Sequence, residues 1–328
     1  MKAIVCRAYG PPESLVMEEV PSPAVRPGTV LISVRAASVN FPDLLIIQNK
    51  YQFKPPLPFT PGTEAAGIVR SVGSGVINVS VGDRVMAYTR FGAFAEEVVV
   101  ESAHVSRIPD GMDEAEAAAF LVTYGTAHHA LADRGQLRTG ETLLVLGAAG
   151  GVGLAGIEVG KALGARVIAC ASSADKLALC RAHGADASVN YATEDLRERI
   201  ADLTDGRGVD VVYDPVGGGY TEPALRSTAW RGRLLVIGFA AGAIPKIALN
   251  LALLKGCAIV GVSWGELMRR EPATAARGFE ALGGWYRAGL LKPHVSATFP
   301  LERAADALTL MAARNVIGKV VLTMGDRS

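Results

Sequence analysis

Three features of the amino-acid sequence predict a two-domain α/β protein in which a doubly wound parallel sheet is joined to a second, mostly β domain. Between residues 142 and 176 the chain reads strand, glycine-rich turn, helix, strand. Beyond Glu141 apolar strands alternate regularly with helical stretches, the pattern of crossover connections between parallel strands. Before Pro109, in contrast, short strands are punctuated by Gly and Pro, as in a compact, partly closed barrel.

In the first region strands are expected at residues 30–35, 65–72, 84–88 and 94–100, with turns at Arg26-Pro-Gly28 and Val81-Gly-Asp83. Residues 113–132 carry helical periodicity and are expected as two pieces broken near Gly125. The parallel sheet then takes strands at 143–146, 166–171, 186–190, 209–214, 233–238 and 257–262, with further helices at 193–203 and 219–229. The last stretch, with a helix at 271–288, a strand at 294–299, a helix at 301–313 and a strand at 318–323, is expected to return and complete the first domain. The domains are therefore 1–123, completed by 265–328, and 124–264, and they would enclose a cleft suited to a small substrate.

The turn after the first parallel strand reads Gly147-Ala-Ala-Gly-Gly-Val-Gly153. Gly150, Gly151, Val152 and Gly153 would let the backbone turn sharply, approach a pyrophosphate and present helix N-terminal amides to it. The usual first glycine of the dinucleotide pattern is Ala148 here, so the turn must tolerate a methyl group. About 20 residues further on, where an acidic side chain would hold the ribose 2′-hydroxyl of NAD, the chain has Ser172, Ser173 and Lys176. Hydroxyls and an ammonium suit the 2′-phosphate of NADP, so the expected cofactor is NADPH. Asp175 is read as opening the next helix, where a carboxylate favours the positive end of the dipole. Ligand atoms in such a sheet lie at the carboxyl ends of the strands, which nominates Pro215-Val216, Phe239-Ala240 and Ser263-Trp264; for Trp264, packing at a domain boundary is the competing reading.

Composition narrows the function classes. Half of the 328 residues are hydrophobic, and 33 basic against 32 acidic residues give a net charge of +1, so nothing marks an electrostatic footprint for nucleic acid or an anionic membrane. No apolar run has the length of a signal peptide or a membrane span, and a cytoplasmic location is expected. Cys6, Cys170, Cys180 and Cys257 are scattered, as reduced packing residues rather than a disulfide framework or a metal knuckle. His104, His128, His129, His183 and His294 do not supply zinc-ligand spacing, and no metal is expected.

Together these elements resemble the medium-chain dehydrogenase/reductase superfamily, and within it the zinc-free quinone oxidoreductases of the zeta-crystallin type, over essentially the whole chain. The resemblance is carried by Ala36-Ala-Ser-Val-Asn40-Phe-Pro-Asp43, Pro61-Gly-Thr-Glu-Ala-Ala-Gly67, Val81-Gly-Asp-Arg-Val85, Tyr124-Gly-Thr-Ala127, the glycine turn, Asp214-Pro-Val-Gly217 and Gly318-Lys-Val-Val321. It implies a GroES-like catalytic domain and a Rossmann domain. Zinc relatives have a Cys in the segment equivalent to residues 37–40 and a His-Glu pair where this chain reads Thr63-Glu64. By the same resemblance Asn40 lies beside the nicotinamide, Thr126 near the inner phosphates or ribose, Ser172, Lys176 and Tyr191 at the 2′-phosphate, and Phe239 with Val262, Ser263 and Trp264 at the carboxamide. Tyr51 takes the place of a tyrosine that orients substrate or donates a proton in related enoyl reductases, although a surface aromatic is an equal reading of it.

Without a Lewis acid to polarise a simple carbonyl, the expected acceptor activates itself. The implied activity is NADPH-dependent hydride transfer to a quinone. Reduction of an enoyl thioester or enone is the close alternative, and a non-catalytic NADPH-binding protein is the alternative from another class. Relatives commonly pair through the edge strand of the nucleotide domain, so a homodimer through residues 258–262 is expected.

Overall fold

The computed structural model describes residues 1–314 and 316–325. Two compact units form, Met1–Val122 with Pro293–Ser328, and Thr123–Lys292.

In the first unit the eleven-residue strand Thr29–Val39 is the organising element. One of its edges pairs antiparallel with Glu64–Val72. Along the other edge Glu97–Glu101 pairs with its first half and Lys319–Thr323 with its last residues. The sheet order runs Val295–Pro300, Lys319–Thr323, Thr29–Val39, Glu64–Val72, Arg84–Tyr88, Val105–Arg107, and register shifts near Leu31 and Val34 bend the central strand into the expected barrel. Ile32, Val34, Phe94, Val320 and Leu308 fill the core. Burying each such side chain contributes about 1.5–3 kcal/mol. The expected strand at 94–100 is shorter, Glu97–Glu101, because Phe94 and Ala95 bond instead to the amino-terminal strand Lys2–Val5.

In the second unit six parallel strands stand in the order Ala187–Asn190, Arg166–Ala171, Thr142–Val145, Val209–Asp214, Thr228–Val236, Ala258–Gly261. The first strand in sequence, Thr142–Val145, is central, and strand order reverses between it and Val209–Asp214, which creates the switch-point crevice of a doubly wound sheet. Leu144, Leu146, Ile168, Val212 and Leu234 are fully or almost fully buried, as strands covered on both faces require.

Two details depart from the sequence reading. The helical stretch after residue 113 breaks at residues 119–120, between Glu114–Ala118 and Leu121–His128, and not at Gly125. Gly125 lies inside the second helix because the Trp264 indole occupies the space a side chain would need: a Cβ there would meet Trp264 Nε1 at 2.5 Å. For the same reason the helices Trp264–Arg270 and Pro272–Arg287 belong to the second unit rather than returning to the first. Among the described residues no helix is long and apolar enough to cross a membrane.

Candidate active and cofactor sites

The glycine turn follows the central strand. Gly147 takes a left-handed backbone (φ 58°), and this accounts for Ala148: the position that requires glycine lies one residue earlier, so the methyl at 148 packs fully buried. At Gly153 the backbone crosses the turn so closely that a Cβ would fall 2.4 Å from the Gly147 carbonyl oxygen. Gly150 precedes the helix Gly151–Ala162 with no side chain capping it. The amides of Gly151, Val152 and Gly153 therefore lack intrahelical acceptors and are oriented for an anion. A close-approach turn opening an uncapped helix fits the pyrophosphate of a dinucleotide.

At the end of Arg166–Ala171 the two serines have different tasks. Ser173 caps the helix Ala174–Ala182, its hydroxyl accepting from the Lys176 amide at 3.4 Å, while Asp175 stands in the first turn as expected. Ser172 is exposed, and Lys176 Nζ lies 3.4 Å from its hydroxyl, so these two present a donor pair at the rim. Tyr191 stacks on Tyr220 with centroids 4.4 Å apart, and burial pushes its phenol up to about 12. On the other side of the switch point, Asp214 ties down the loop that follows its strand. It accepts from the Val216 and Gly217 amides at 2.9 and 2.8 Å and from the Thr221 hydroxyl at 2.6 Å. Phe239 lies against Gly217 in this loop region. Ser263 precedes the helix that begins at Trp264; the indole is buried edge-on to Phe279 (6.3 Å), which makes it a packing residue of this unit. Thr126 is also buried, within Leu121–His128, and Val262 follows the edge strand.

In the first unit a different constellation gathers around Asn40. The residue precedes the helix Phe41–Ile47 and shares a capping box with Asp43, whose Oδ2 accepts from the Asn40 amide at 2.8 Å. The Asn40 carboxamide donates to Thr63 Oγ1 at 3.1 Å and Glu64 Oε1 at 3.0 Å, and its oxygen accepts from Lys319 Nζ at 2.6 Å. Lys319 also donates to the Val39 carbonyl at 3.0 Å and lies 3.5 Å from Glu64. The second Glu64 oxygen accepts from the Val122 amide at 2.9 Å. Asn40, Asp43, Thr63, Glu64 and Lys319 are all buried, and burial pushes the Lys319 ammonium down against the pull of Glu64 and Asp43. Burial also raises the Asp43 carboxyl to about 7, opposed by the Asn40 amide and by Lys319. Tyr51 packs its ring on the barrel core, and its phenol is raised by burial and then by the Asp43 charge.

Zinc does not fit this donor set. A tetrahedral site needs several nitrogen, thiolate or carboxylate ligands converging on one point. Position 63 offers a hydroxyl, Asn40 spends its amide protons on protein acceptors, and a buried ammonium already faces the Asn40 oxygen. Four of the five histidines are engaged elsewhere: His129 with Asp133 (2.8 Å), His183 with Glu158 (2.5 Å), His128 on Trp285 and His104 on Tyr88.

Asn40 and Tyr51 thus lie in the first unit, and Thr126, the glycine turn, Ser172, Ser173, Lys176, Tyr191, Phe239, Val262, Ser263 and Trp264 in the second. Sequence reasoning assigned Lys319 no role. Its signal was a charged residue directly before the buried apolar run Val320-Val-Leu322 of the strand Lys319–Thr323.

A doubly wound sheet with a dinucleotide turn, joined to a GroES-like barrel that buries a polar cluster, defines a two-domain nucleotide-dependent oxidoreductase. Residues 26–110 match the alcohol dehydrogenase GroES-like domain, and residues 151–280 the zinc-binding dehydrogenase domain. The chain is 38% identical over 324 residues to quinone oxidoreductase-like protein 2 of Rattus norvegicus, covering 98% of this chain and 92% of the relative. The quinone oxidoreductase of Escherichia coli, solved in complex with NADPH, superposes with a TM-score of 0.92 at 30% identity, covering 98% of this chain and 100% of that one. A probable oxidoreductase from Mycobacterium abscessus gives 0.90 at 38% identity, with 98% of each chain covered. The chain belongs to the quinone oxidoreductase family of the medium-chain dehydrogenase/reductase superfamily.

Proposed function

We propose that this protein is an NADPH-dependent reductase that delivers hydride to quinones without a metal. The observation that carries the reading is a dinucleotide turn whose far rim presents Ser172 and Lys176, combined with an ammonium, rather than zinc ligands, beside Asn40 and Thr63. The NADPH bound by the similar Escherichia coli enzyme supports the choice of cofactor.

NADPH, when bound, supplies hydride from its nicotinamide. The amides of Gly151 to Gly153, with Gly150 opening the helix, would hold the pyrophosphate, while Ser172 and Lys176, with Tyr191 near them and Ser173 fixing the helix start, would read the 2′-phosphate. Thr126, Phe239, Val262, Ser263 and Trp264 would hold the inner half of the cofactor, as the family resemblance implies. The Asn40 carboxamide is held in one orientation by Thr63, Glu64 and Lys319; its oxygen keeps a lone pair free of Lys319, and its amide hydrogens are committed to Thr63 and Glu64. The family resemblance would assign it to the nicotinamide end of the cofactor. Tyr51 is the proton donor in this reading, as the resemblance to enoyl reductases implies. Its raised phenol stays protonated at neutral pH and can bond to a developing quinolate oxygen.

The test is NADPH oxidation, with a chelator present, against a panel of quinones, enones and enoyl thioesters. Turnover of quinones is expected. Activity confined to thioesters would replace the acceptor class, and tight binding without turnover would make the chain a cofactor-binding protein.

The reading includes a homodimer. Ala258–Gly261 is one of the two edges of the parallel sheet, and exposed Ile259, Trp230, Leu249, Leu253 and Leu254 lie on it and on the segments around it. Pairing with a second copy would cover both the edge and these side chains, and Ile259→Lys is expected to shift the light-scattering mass from dimer toward monomer.

A further inference from the structure

The loop after the strand Arg84–Tyr88 is bound to the loop that carries Thr63. The Thr89 amide donates to the Thr63 carbonyl and its hydroxyl to the Gly62 carbonyl, both at 2.9 Å, and the Gly92 amide donates to the Thr60 carbonyl at 2.8 Å. Tyr88 itself pairs with Glu64 of the polar cluster. Arg90 is thereby placed two residues beyond a partner of that cluster. It has a left-handed backbone (φ 61°), a conformation that costs a non-glycine residue strain. Its guanidinium lies 4.2 Å over the Phe53 ring, and Phe53 in turn meets Phe91 at 5.8 Å. Phe91 is exposed, and among the described residues Arg90 has no hydrogen bond or ion pair, so its planar donors remain unused. Lys54, next to Phe53, is an exposed cation that likewise lacks an ion pair.

We propose that Phe53, Phe91 and Arg90 form a substrate shelf that selects conjugated acceptors bearing an anionic group. The flat acceptor packs on the aromatic rings, and a carboxylate, sulfonate or phosphate takes the bidentate fork of Arg90, which the cation–π contact holds in place. A neutral quinone uses only the rings. The proposal rests on the reading of the chain as a reductase of self-activating acceptors and names their class. The anion belongs either to the conjugated system itself or to the distal phosphates of a thioester carrier, and both sources present the same chemistry to the guanidinium.

Two measurements test it. The first is the ratio of kcat/KM for a naphthoquinone sulfonate to that for the parent naphthoquinone, with crotonyl-CoA against crotonyl-pantetheine as the second pair. The wild-type ratio is expected to favour the anionic member about tenfold in at least one pair, which identifies the source of the anion, and to collapse to about one in Arg90→Met. The second is direct binding of naphthalene sulfonate, which cannot be reduced, with about tenfold weakening expected in Arg90→Met. If no acceptor is reduced but this binding difference holds, the reductase reading fails and the anion site stands. Equal binding by both proteins, or ratios near one in the wild type, would overturn the proposal. So would an Arg90→Met effect on NADPH binding as large as that on the sulfonate, because the guanidinium would then serve the cofactor.

Discussion

Replacing Lys319 by Met removes the only cation from the buried cluster while keeping the volume of its stem. The structure fixes what is lost. Asn40 gives up its 2.6 Å charge-assisted bond, the Val39 carbonyl its 3.0 Å donor, and Glu64, 1% exposed, keeps a carboxylate with two neutral donors and no counter-charge. Breaking one partner of a buried ion pair costs about 3–5 kcal/mol, mainly because a buried charge is left uncompensated. Denaturant unfolding followed by a probe in the first unit should register a loss of that size. The double variant Lys319→Met with Glu64→Gln removes both charges, and the one amide oxygen left at position 64 still accepts from one of the two donors, so it should regain part of the loss. A single-variant cost below about 1 kcal/mol, or a double variant no more stable than the single, would refute the claim that an ion pair organises this site.

Three further outcomes follow from the geometry. Asp43 has a carboxyl raised from 3.8 to about 7 by burial, so between these values the unfolded chain releases a proton that the folded chain retains. Its contribution is therefore full below about pH 4 and lost as pH rises through about 7, by at most about 4 kcal/mol at 1.36 kcal/mol per unit; Asp43→Asn should flatten this slope in unfolding free energies measured across the window. Lys176→Ala should weaken NADPH about 10- to 100-fold in a fluorescence titration and leave NADH nearly unchanged; equal weakening of both would show that the ammonium does not read the 2′-phosphate. Gly153→Ala drives a methyl to within 2.4 Å of the Gly147 carbonyl, so a loss of about 1–3 kcal/mol in stability should accompany the loss of dinucleotide binding.

Much of the fold was legible because the signals are local. Strands 84–88 and 209–214 have the predicted bounds, and the glycine turn announced the central strand from its own residues. The Ala148 anomaly became intelligible only with backbone angles, since the sequence does not say which residue of the turn is left-handed. Gly125 was misread as a helix breaker because what fills its empty side is Trp264, far along the chain. The polar cluster shows the same limit more strongly. Asn40 and Thr63 were found by motif, but Lys319 lies 279 residues from Asn40, and only the return of the last strand beside Thr29–Val39 brings them together. Ser173 was legible as a polar rim residue, while its use as a helix cap required the geometry. Arg90 carried no motif at all; its backbone and its ring contact exist only in three dimensions.

As proposed, the chain would move hydride from NADPH to an acceptor without a metal. Single-turnover oxidation of NADPH deuterated at the transferred position, mixed with a quinone in the presence of a strong chelator, tests it most directly. NADPH is expected to be consumed at the same rate with and without chelator, slowed by a primary isotope effect of about two or more when chemistry limits the turnover. Bound NADPH that persists unoxidised in the presence of every quinone, or oxidation that the chelator abolishes, would contradict it.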